Sequence, residues 1–383
     1  MVLSPMEQRA ATTHDNGVSE GLEYRLFGEP QSPSQLWMWE GLQRVLERHG
    51  HTHRPGDASH VQLIFNFTDL EHPQKFWRRA QSTFVVSLVE TDDEPADIFR
   101  AGYPILVRAL SNLGIYVIRK PDGIDAHFLT MEQGHYVISW RTEDDPTAFF
   151  DELYARLAPL ATSQLVINNV YHRDLPEALW DGDEITRQLT WAGEQLADLH
   201  LLPAPWPIHE YLNERDLRHV KLLYGIGGLS YGNLSARKDA DTFWMSASGV
   251  DKSQLQQIGR DILLVTGYVP GENAMELRVP PQVEPRRVSV DAIEHWMIYQ
   301  EHPHVGAIIH VHAWMDGIES THINFPCGTR ELALAVSDLI RKADDPSRAV
   351  VGLKNHGLTI TGHSLVDIFE RMRGRIIPQV PMT

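Results

Sequence analysis

The sequence predicts an α/β protein made of two domains. Its 383 residues are enough for two ordinary domains, or for one large domain with an extension. Short β-rich runs alternate with helical segments in the first part of the chain, and the composition changes near residues 176–205. Apolar residues make up 42% and charged residues 22%, a globular mixture that fits neither a disordered chain nor a membrane protein.

The first part of the chain carries the local signals of an α+β domain. Residues 1–20 are polar, and we expect them to be flexible. Runs of β-branched and aromatic residues predict strands, and the last two flank Gly134 as a hairpin: Val61–Phe67, Phe84–Glu90, Ile115–Ile118, Ala126–Thr130 and His135–Trp140. Helices are predicted over Leu36–Arg48, Ala96–Leu110 and Asp145–Leu157, the last with Asp145 as N-cap and Pro146 in the first turn. Residues 21–175 therefore form a predicted α+β domain whose role the sequence does not indicate.

A connecting segment is predicted over residues 176–205. Asp181–His200 has the periodicity of an amphipathic helix. The run Leu202–Pro207 (LPAPWP) then interrupts the pattern as a rigid turn would. The second domain is accordingly predicted over residues 206–383.

Charge and cysteine content limit the possible partners and surroundings. The chain has 34 basic and 51 acidic residues, a formal charge of −17, which disfavours binding to nucleic acid or to an anionic membrane. A small-molecule partner is therefore expected. Cys327 is the only cysteine, so no disulfide can form within the chain. The start lacks a signal-peptide core and no run of 18 apolar residues follows, which predicts a soluble, cytoplasmic protein.

Three histidines in the second part have spacing that suits a metal ion. His310 and His312 continue the apolar run Val305–Ile309, and residues two apart on a strand face the same side. His356 follows a second apolar stretch, and Gly357 allows a tight backbone beside it. Three imidazoles leave a coordination position open for a substrate. By spacing alone, a chance or surface pair remains the alternative in a chain with 20 histidines.

Four ordered segments around these histidines resemble the class II aldolase/adducin family, as in fuculose- and ribulose-phosphate aldolases. They are Tyr231–Arg237 (YGNLSAR), Ser246–Gly249 (SASG), Ser289–His312, and Cys327–Leu332 (CGTREL) with Asn355–Gly357. The resemblance covers about residues 200–383 and leaves the N-terminal part unrecognised. It implies a three-layer α/β/α domain with a central, mainly antiparallel sheet. It also implies a divalent ion on His310, His312 and His356, with Zn²⁺ first and Fe²⁺, Mn²⁺ or Co²⁺ as alternatives.

The resemblance further implies an anion site that would hold a substrate phosphate. Its candidate residues are Gly232, Asn233, Ser248, Gly249 and Ser289. Gly232 permits a close backbone approach, and the turn at Ser248 and Gly249 offers N–H groups to an oxyanion. Ser289 is predicted as a helix N-cap, where a helix N-terminus attracts anions. Ordinary turns and an ordinary cap are the alternative interpretation of the same residues.

Asp291 occupies the position of the family's catalytic acid/base glutamate, 19 positions before His310. Asp291, His295 and Tyr299 share one helix face. A carboxylate there could remove the proton alpha to a carbonyl while a metal ion stabilises the enediolate. Glu294 is the second candidate base, and His295 is expected to support the site structurally.

Three departures from the family pattern concern the substrate pocket. Asp291 is one methylene shorter than glutamate, and Val290 replaces a hydroxyl residue. Only 14 residues separate His312 from Cys327, where the sugar-phosphate aldolases carry roughly twice as many. The metal site is therefore expected to be of the family type, with a remodelled substrate pocket.

The function predicted from these features is a divalent-metal-dependent lyase, acting by aldol, retro-aldol or related enediolate chemistry on a small hydroxy-carbonyl compound. An Fe(II)-dependent oxygenase or decarboxylase of a keto acid would use the same histidines. A non-catalytic, adducin-like interaction protein is the third alternative, and the three intact histidines argue against it. The resemblance also implies a homo-oligomer, with four subunits.

Overall fold

Two β-sheets organise the chain. The structure is a computed structural model that describes residues 21–56, 61–80, 82–130, 134–203, 208–224 and 231–382; the segment 1–20, predicted to be flexible, lies outside them. The strands are Glu23–Phe27 (β1), Thr52–His53 (β2), Leu63–Phe67 (β3), Phe84–Thr91 (β4), Leu113–Lys120 (β5), Gly123–Thr130 (β6), Gly134–Arg141 (β7), Asn168–His172 (β8), Asn233–Arg237 (β9), Phe243–Ser246 (β10), Ile262–Val269 (β11), Ala274–Arg278 (β12), Ala307–Val311 (β13), Val350–Leu353 (β14) and Gly357–Gly362 (β15). The helices are Pro33–Arg48 (α1), Ile98–Ala109 (α2), Pro146–Thr162 (α3), Glu184–Asp198 (α4), Ile208–Tyr211 (α5), Glu214–Tyr224 (α6), Ala292–Glu301 (α7), Arg330–Lys342 (α8) and Leu365–Met372 (α9).

The first sheet has the order β2-β1-β3-β4-β5-β6-β7. The strands from β2 to β5 pair in parallel, and β5, β6 and β7 continue as an antiparallel meander. Helices α1 and α3 cover one face around buried Leu42, Phe65 and Phe150, and α2 lies on the other face. All five predicted strands and the hairpin are confirmed. Asp145 caps α3 by accepting a bond from Thr147 N at 2.9 Å, and this helix runs five residues past its predicted end.

The second sheet has the order β14-β15-β13-β9-β10-β11-β12-β8 and is antiparallel except between β12 and β8. Helices α4 and α9 pack against β9, β13 and β15 and against each other. Helices α7 and α8 also contact each other and pack against β11 and β14. The predicted three-layer α/β/α arrangement with a mainly antiparallel sheet is confirmed, as is the separate sheet of the N-terminal part.

The segment predicted as a linker belongs to this second body. Strand β8 extends the second sheet through its pairing with β12. Helix α4 buries Leu189, Ala192 and Leu196 completely in the second core. An amphipathic pattern shows that a helix has a buried face but does not show which sheet covers it. We therefore place the boundary near residues 163–167, before β8. Of the predicted turn over residues 202–207, residues 204–207 lie outside the described part.

Helices α5 and α6 belong to the second part of the chain but pack against the first domain. Leu212 and Val220 of residues 208–224 pack against Tyr103 and Leu106 of α2 in the first domain. Asp216 is buried there and accepts a bond from Arg108 Nη2 at 2.7 Å. None of the helices in the described part of the chain is long and apolar enough to cross a membrane.

Candidate metal centre

The three predicted metal ligands converge at the C-terminal end of strand β13. His310 lies on β13 between β9 and β15, and His312 follows directly after the strand. His356 lies immediately before β15, after Asn355 in the left-handed conformation (φ 57°). One nitrogen from each imidazole lies within 4.8 Å of the others. The alternation along β13 and the tight turn before β15 therefore bring together side chains that are 46 positions apart at most.

The hydrogen bonds and burial of these imidazoles fit a divalent ion. His310 Nδ1 donates to the carbonyl oxygen of Leu358 at 2.9 Å, which leaves Nε2 as the acceptor nitrogen. That Nε2 atom is buried and has no partner among the described residues. His312 Nε2 and His356 Nε2 lie 3.1 Å apart, so two ring nitrogens converge where neither can bond the other if both are acceptors. The donor set therefore fits a metal ion.

Electrostatics keep the three histidines neutral, as metal ligands must be. Burial is the largest cause that lowers the pKa of His310, and likewise of His312 and His356. The mutual repulsion of the imidazolium charges lowers the pKa of His312 and of His356 further. Neutral imidazoles can bind an ion without first losing a proton.

Gly232 lets strand β9 approach the cluster. Its φ is 73°, and a Cβ there would lie 2.4 Å from the carbonyl oxygen of His310. Any side chain would therefore displace the strand that carries a metal ligand. The close approach that Gly232 permits in the structure is to β13, and its predicted approach to a ligand stays a prediction.

Two buried carboxyl groups flank the histidines. Asp291 is 5% exposed; its Oδ2 accepts a bond from Asn233 Nδ2 at 2.7 Å, and its Oδ1 has no partner in the described part. Glu294 is 2% exposed and accepts a bond from the Thr359 hydroxyl at 2.5 Å. Burial, and then the negative charge of Asp291, raise the pKa of Glu294 to about 8. Glu294 is therefore protonated near neutral pH, as a proton donor of an acid–base pair would be.

Helix α7 also supplies a supporting network. The Ser235 hydroxyl on β9 lies 2.7 Å from His295 Nδ1 and 2.8 Å from the Tyr299 hydroxyl. Burial, and then the charge of His310, lower the pKa of His295 to about 3. His295 is thus neutral and bonded to the neighbouring strand, in agreement with its predicted structural role.

The predicted anion site is partly engaged by internal hydrogen bonds. The Asn233 amide donates to Asp291, as described above. The Ser248 N–H donates to the Arg287 carbonyl at 2.9 Å, so only the hydroxyl of this residue could contact an anion. Gly249 has φ 69°, as expected for the turn. The groups predicted to hold a phosphate are therefore fewer than the sequence pattern indicated.

The prediction that Ser289 caps a helix is wrong. Helix α7 begins at Ala292, and Asp291 is its N-cap residue without a capping bond from its side chain. Ser289 still belongs to the extended segment before the helix, where its N–H donates to the Ser246 carbonyl at 3.3 Å. The bridge between Ala247 and Val288 keeps this segment extended and delays the start of the helix.

Two residues near the cluster were not predicted as site residues. Lys252 is 3% exposed, and burial lowers its pKa to about 8. Its charge acts on Asp291, His310 and His312. Cys327 Sγ lies 3.2 Å from His356 Nε2. Lys252 comes three positions after the SASG segment and Cys327 begins CGTREL, so their places beside recognised segments were the available signals.

The matches to known proteins concern the second half of the chain. The family model described as the class II aldolase and adducin N-terminal domain matches residues 218–374. No curated protein matches the chain.

Among solved structures, an L-fuculose 1-phosphate aldolase is similar at 18% identity, covering 49% of this chain and 80% of that chain with a TM-score of 0.33. YgbL from Klebsiella pneumoniae is 16% identical over 49% of this chain and 83% of that chain, with a TM-score of 0.33. An aldolase II superfamily protein from Pseudomonas syringae is 17% identical over 49% of this chain and 70% of that chain, with a TM-score of 0.32. The first sheet lies outside the matched span. Residues 218–374 therefore match the model of the class II aldolase and adducin N-terminal domain, the family that the sequence motifs of this region resemble.

Proposed function

We propose that the protein is a divalent-metal-dependent lyase that makes or breaks a carbon–carbon bond in a small hydroxy-carbonyl compound. The observation that carries the proposal is the buried cluster of three neutral histidines beside Asp291, whose Oδ1 atom has no partner among the described residues. The family of the domain supports an aldolase-like activity. The charge of −17 supports a small-molecule substrate rather than nucleic acid or a membrane.

His310, His312 and His356 would hold the ion. Zn²⁺ suits three imidazoles with an open position, and Fe²⁺, Mn²⁺ and Co²⁺ are the alternatives. A bound divalent ion polarises a carbonyl oxygen and stabilises negative charge that develops on it. The hydrogen bond from His310 Nδ1 to Leu358 fixes the orientation of that ring.

Asp291 is the proposed base. The bond from Asn233 holds its Oδ2 atom, which orients Oδ1 as the atom that accepts a proton from carbon. Asp291 is shorter than the family's glutamate, but as the N-cap residue of α7 it is held in place by the backbone of the helix. The protonated Glu294 next to it is the proposed donor that keeps a proton inside the site.

Metal analysis of single-residue variants tests the proposed ligands. Each of His310→Ala, His312→Ala and His356→Ala is expected to lose most of the bound ion, because two imidazoles hold Zn²⁺ far less tightly than three. His363→Ala changes an exposed histidine and serves as the matched control. Full metal retention in all three variants would exclude the site.

Assays on the metal-loaded enzyme test the reaction. We expect cleavage or condensation of small hydroxy-carbonyl compounds, with activity lost in Asp291→Asn at unchanged metal content. Oxygen uptake that requires Fe(II) and is absent with Zn(II) would instead identify an oxygenase. We also propose that the protein is cytoplasmic and forms a homo-oligomer of four subunits. Light scattering on the purified protein would check the number of subunits.

A further inference from the structure

A cavity of about 460 Å³ lies where the first domain meets the metal-binding domain. Arg78, Arg79, Arg156 and Arg287 line it. None of the described residues in its wall is acidic. The chain as a whole has 17 more acidic than basic residues, so a concentration of four guanidinium groups runs against the average charge of the molecule.

The arginines come from three separate parts of the fold. Arg78 and Arg79 precede β4, Arg156 lies on α3, and Arg287 precedes the extended segment at Val288. The guanidinium of Arg156 lies 5.1 Å from the centre of the Tyr136 ring. Its buried Nε atom has no partner in the described part of the chain. Arg156 is therefore held in position by a ring contact.

The cavity adjoins the proposed metal centre. Cys327 lines the cavity, and its Sγ atom lies 3.2 Å from His356 Nε2. Val290 lines it too and directly precedes Asp291. Cys327 therefore borders both the cavity and the histidine cluster.

The predicted anion site offers less than the family pattern requires. Asn233, the Ser248 N–H and the Ser289 N–H donate to protein acceptors. The side chain of Val290 cannot donate a hydrogen bond. An anionic substrate group therefore meets a concentration of positive charge in the arginine-lined cavity, where guanidinium groups can bind carboxylate and phosphate through paired, charge-assisted hydrogen bonds.

We propose that this cavity binds a carboxylate or phosphate group of the substrate, so that the N-terminal domain forms part of the active site and selects anionic substrates. Its volume is in the range of small-molecule sites, and Phe76 and Phe84 provide an apolar wall for the body of the ligand. The role in catalysis rests on the proposed lyase function, but anion binding does not require it.

Binding of inorganic phosphate and of malonate to the full-length protein tests the proposal. Isothermal titration calorimetry is carried out with and without metal. We expect binding of at least one anion to both forms, weakened about tenfold in Arg156→Gln and in Arg79→Gln, as expected for the loss of one charge-assisted contact. Tighter phosphate binding would indicate a phosphorylated substrate, and tighter malonate binding a carboxylate.

Controls separate this proposal from the metal site. Arg44→Gln removes an exposed arginine of α1 that pairs with Glu40 outside the cavity, and it should leave anion affinity unchanged. His310→Ala should lose the ion and keep anion binding, so failure of one proposal is distinguishable from failure of the other. Because Arg156→Gln removes a ring contact, its melting temperature is measured alongside, and the exposed Arg79→Gln provides an independent reading. No binding of either anion at about 10 mM, or wild-type affinity in both variants, would overturn the proposal.

Discussion

Replacing Glu294 by glutamine should make the stability of the protein less dependent on pH. The pKa of this buried carboxyl group is raised from 4.5 to about 8. Its contribution to stability is therefore fully present below about pH 4.5 and is lost as the pH rises through about 8. Glutamine copies the shape of the protonated acid and can still accept the bond from the Thr359 hydroxyl.

The size of the effect follows from the two pKa values. One pKa unit corresponds to about 1.4 kcal/mol, so the raised pKa of Glu294 makes the folded protein on the order of 4 kcal/mol less stable at about pH 9 than at about pH 5. The stability advantage of Glu294→Gln should thus be small at low pH and reach several degrees in melting temperature at high pH.

Melting curves of chelator-treated protein between about pH 5 and pH 9 would measure this difference. Metal is removed because a nearby cation would itself favour the ionised carboxylate. Glu152→Gln changes an exposed glutamate of α3 and serves as the control, with a curve expected to follow the wild type. The Asp291→Asn variant should still lose stability as the pH rises, but over a smaller pH range than the wild type. The reason is that the charge of Asp291 is one cause of the raised pKa of Glu294. Parallel wild-type and Glu294→Gln curves over the whole range would refute the reasoning.

Three further changes test other parts of the structure. Gly232→Ala should lower both melting temperature and metal affinity, because its Cβ would lie 2.4 Å from the His310 carbonyl oxygen; unchanged metal affinity in a titration would contradict this. Asn233→Ala should reduce activity about 10- to 100-fold at unchanged metal content, since it removes the donor to Asp291; full activity would argue against the proposed base. Asp145→Ala should destabilise the first domain by about 1 kcal/mol in denaturant unfolding, whereas Asp145→Asn should retain most of the cap. Equal stability of the wild type and both variants would exclude a contribution of this cap to stability.

Local signals predicted the elements well because their causes lie within a few residues. The strand at Phe84–Thr91 follows from a run of β-branched and aromatic residues. The start of α3 follows from Asp145 and Pro146, which cap and begin the helix without help from distant residues. The pairing order of the first sheet was not predictable, because parallel neighbours are joined by long connections whose path no local pattern specifies.

Errors at the domain boundary and at Ser289 have the same physical origin. Helix α4 shows the same amphipathic pattern whichever sheet covers it, and only its contacts assign it to the second domain. Ser289 is a good N-cap residue by type, but the bridge between Ala247 and Val288 keeps its segment extended. In both cases a tertiary contact overrides or completes a local preference.

By itself, the sequence was enough to predict a cluster of three histidines that could hold a metal ion. The alternation of a strand places His310 and His312 on one side, and residues of the right type in the right order surround them. Only the tertiary structure decided the protonation of Glu294 and the arginine-lined cavity. Burial and charge depend on neighbours such as Thr359, 65 positions from Glu294, and Arg156 meets Cys327 in one cavity only after two domains have packed together. Local geometry is written in adjacent residues, whereas solvation and electric field are properties of the assembled chain.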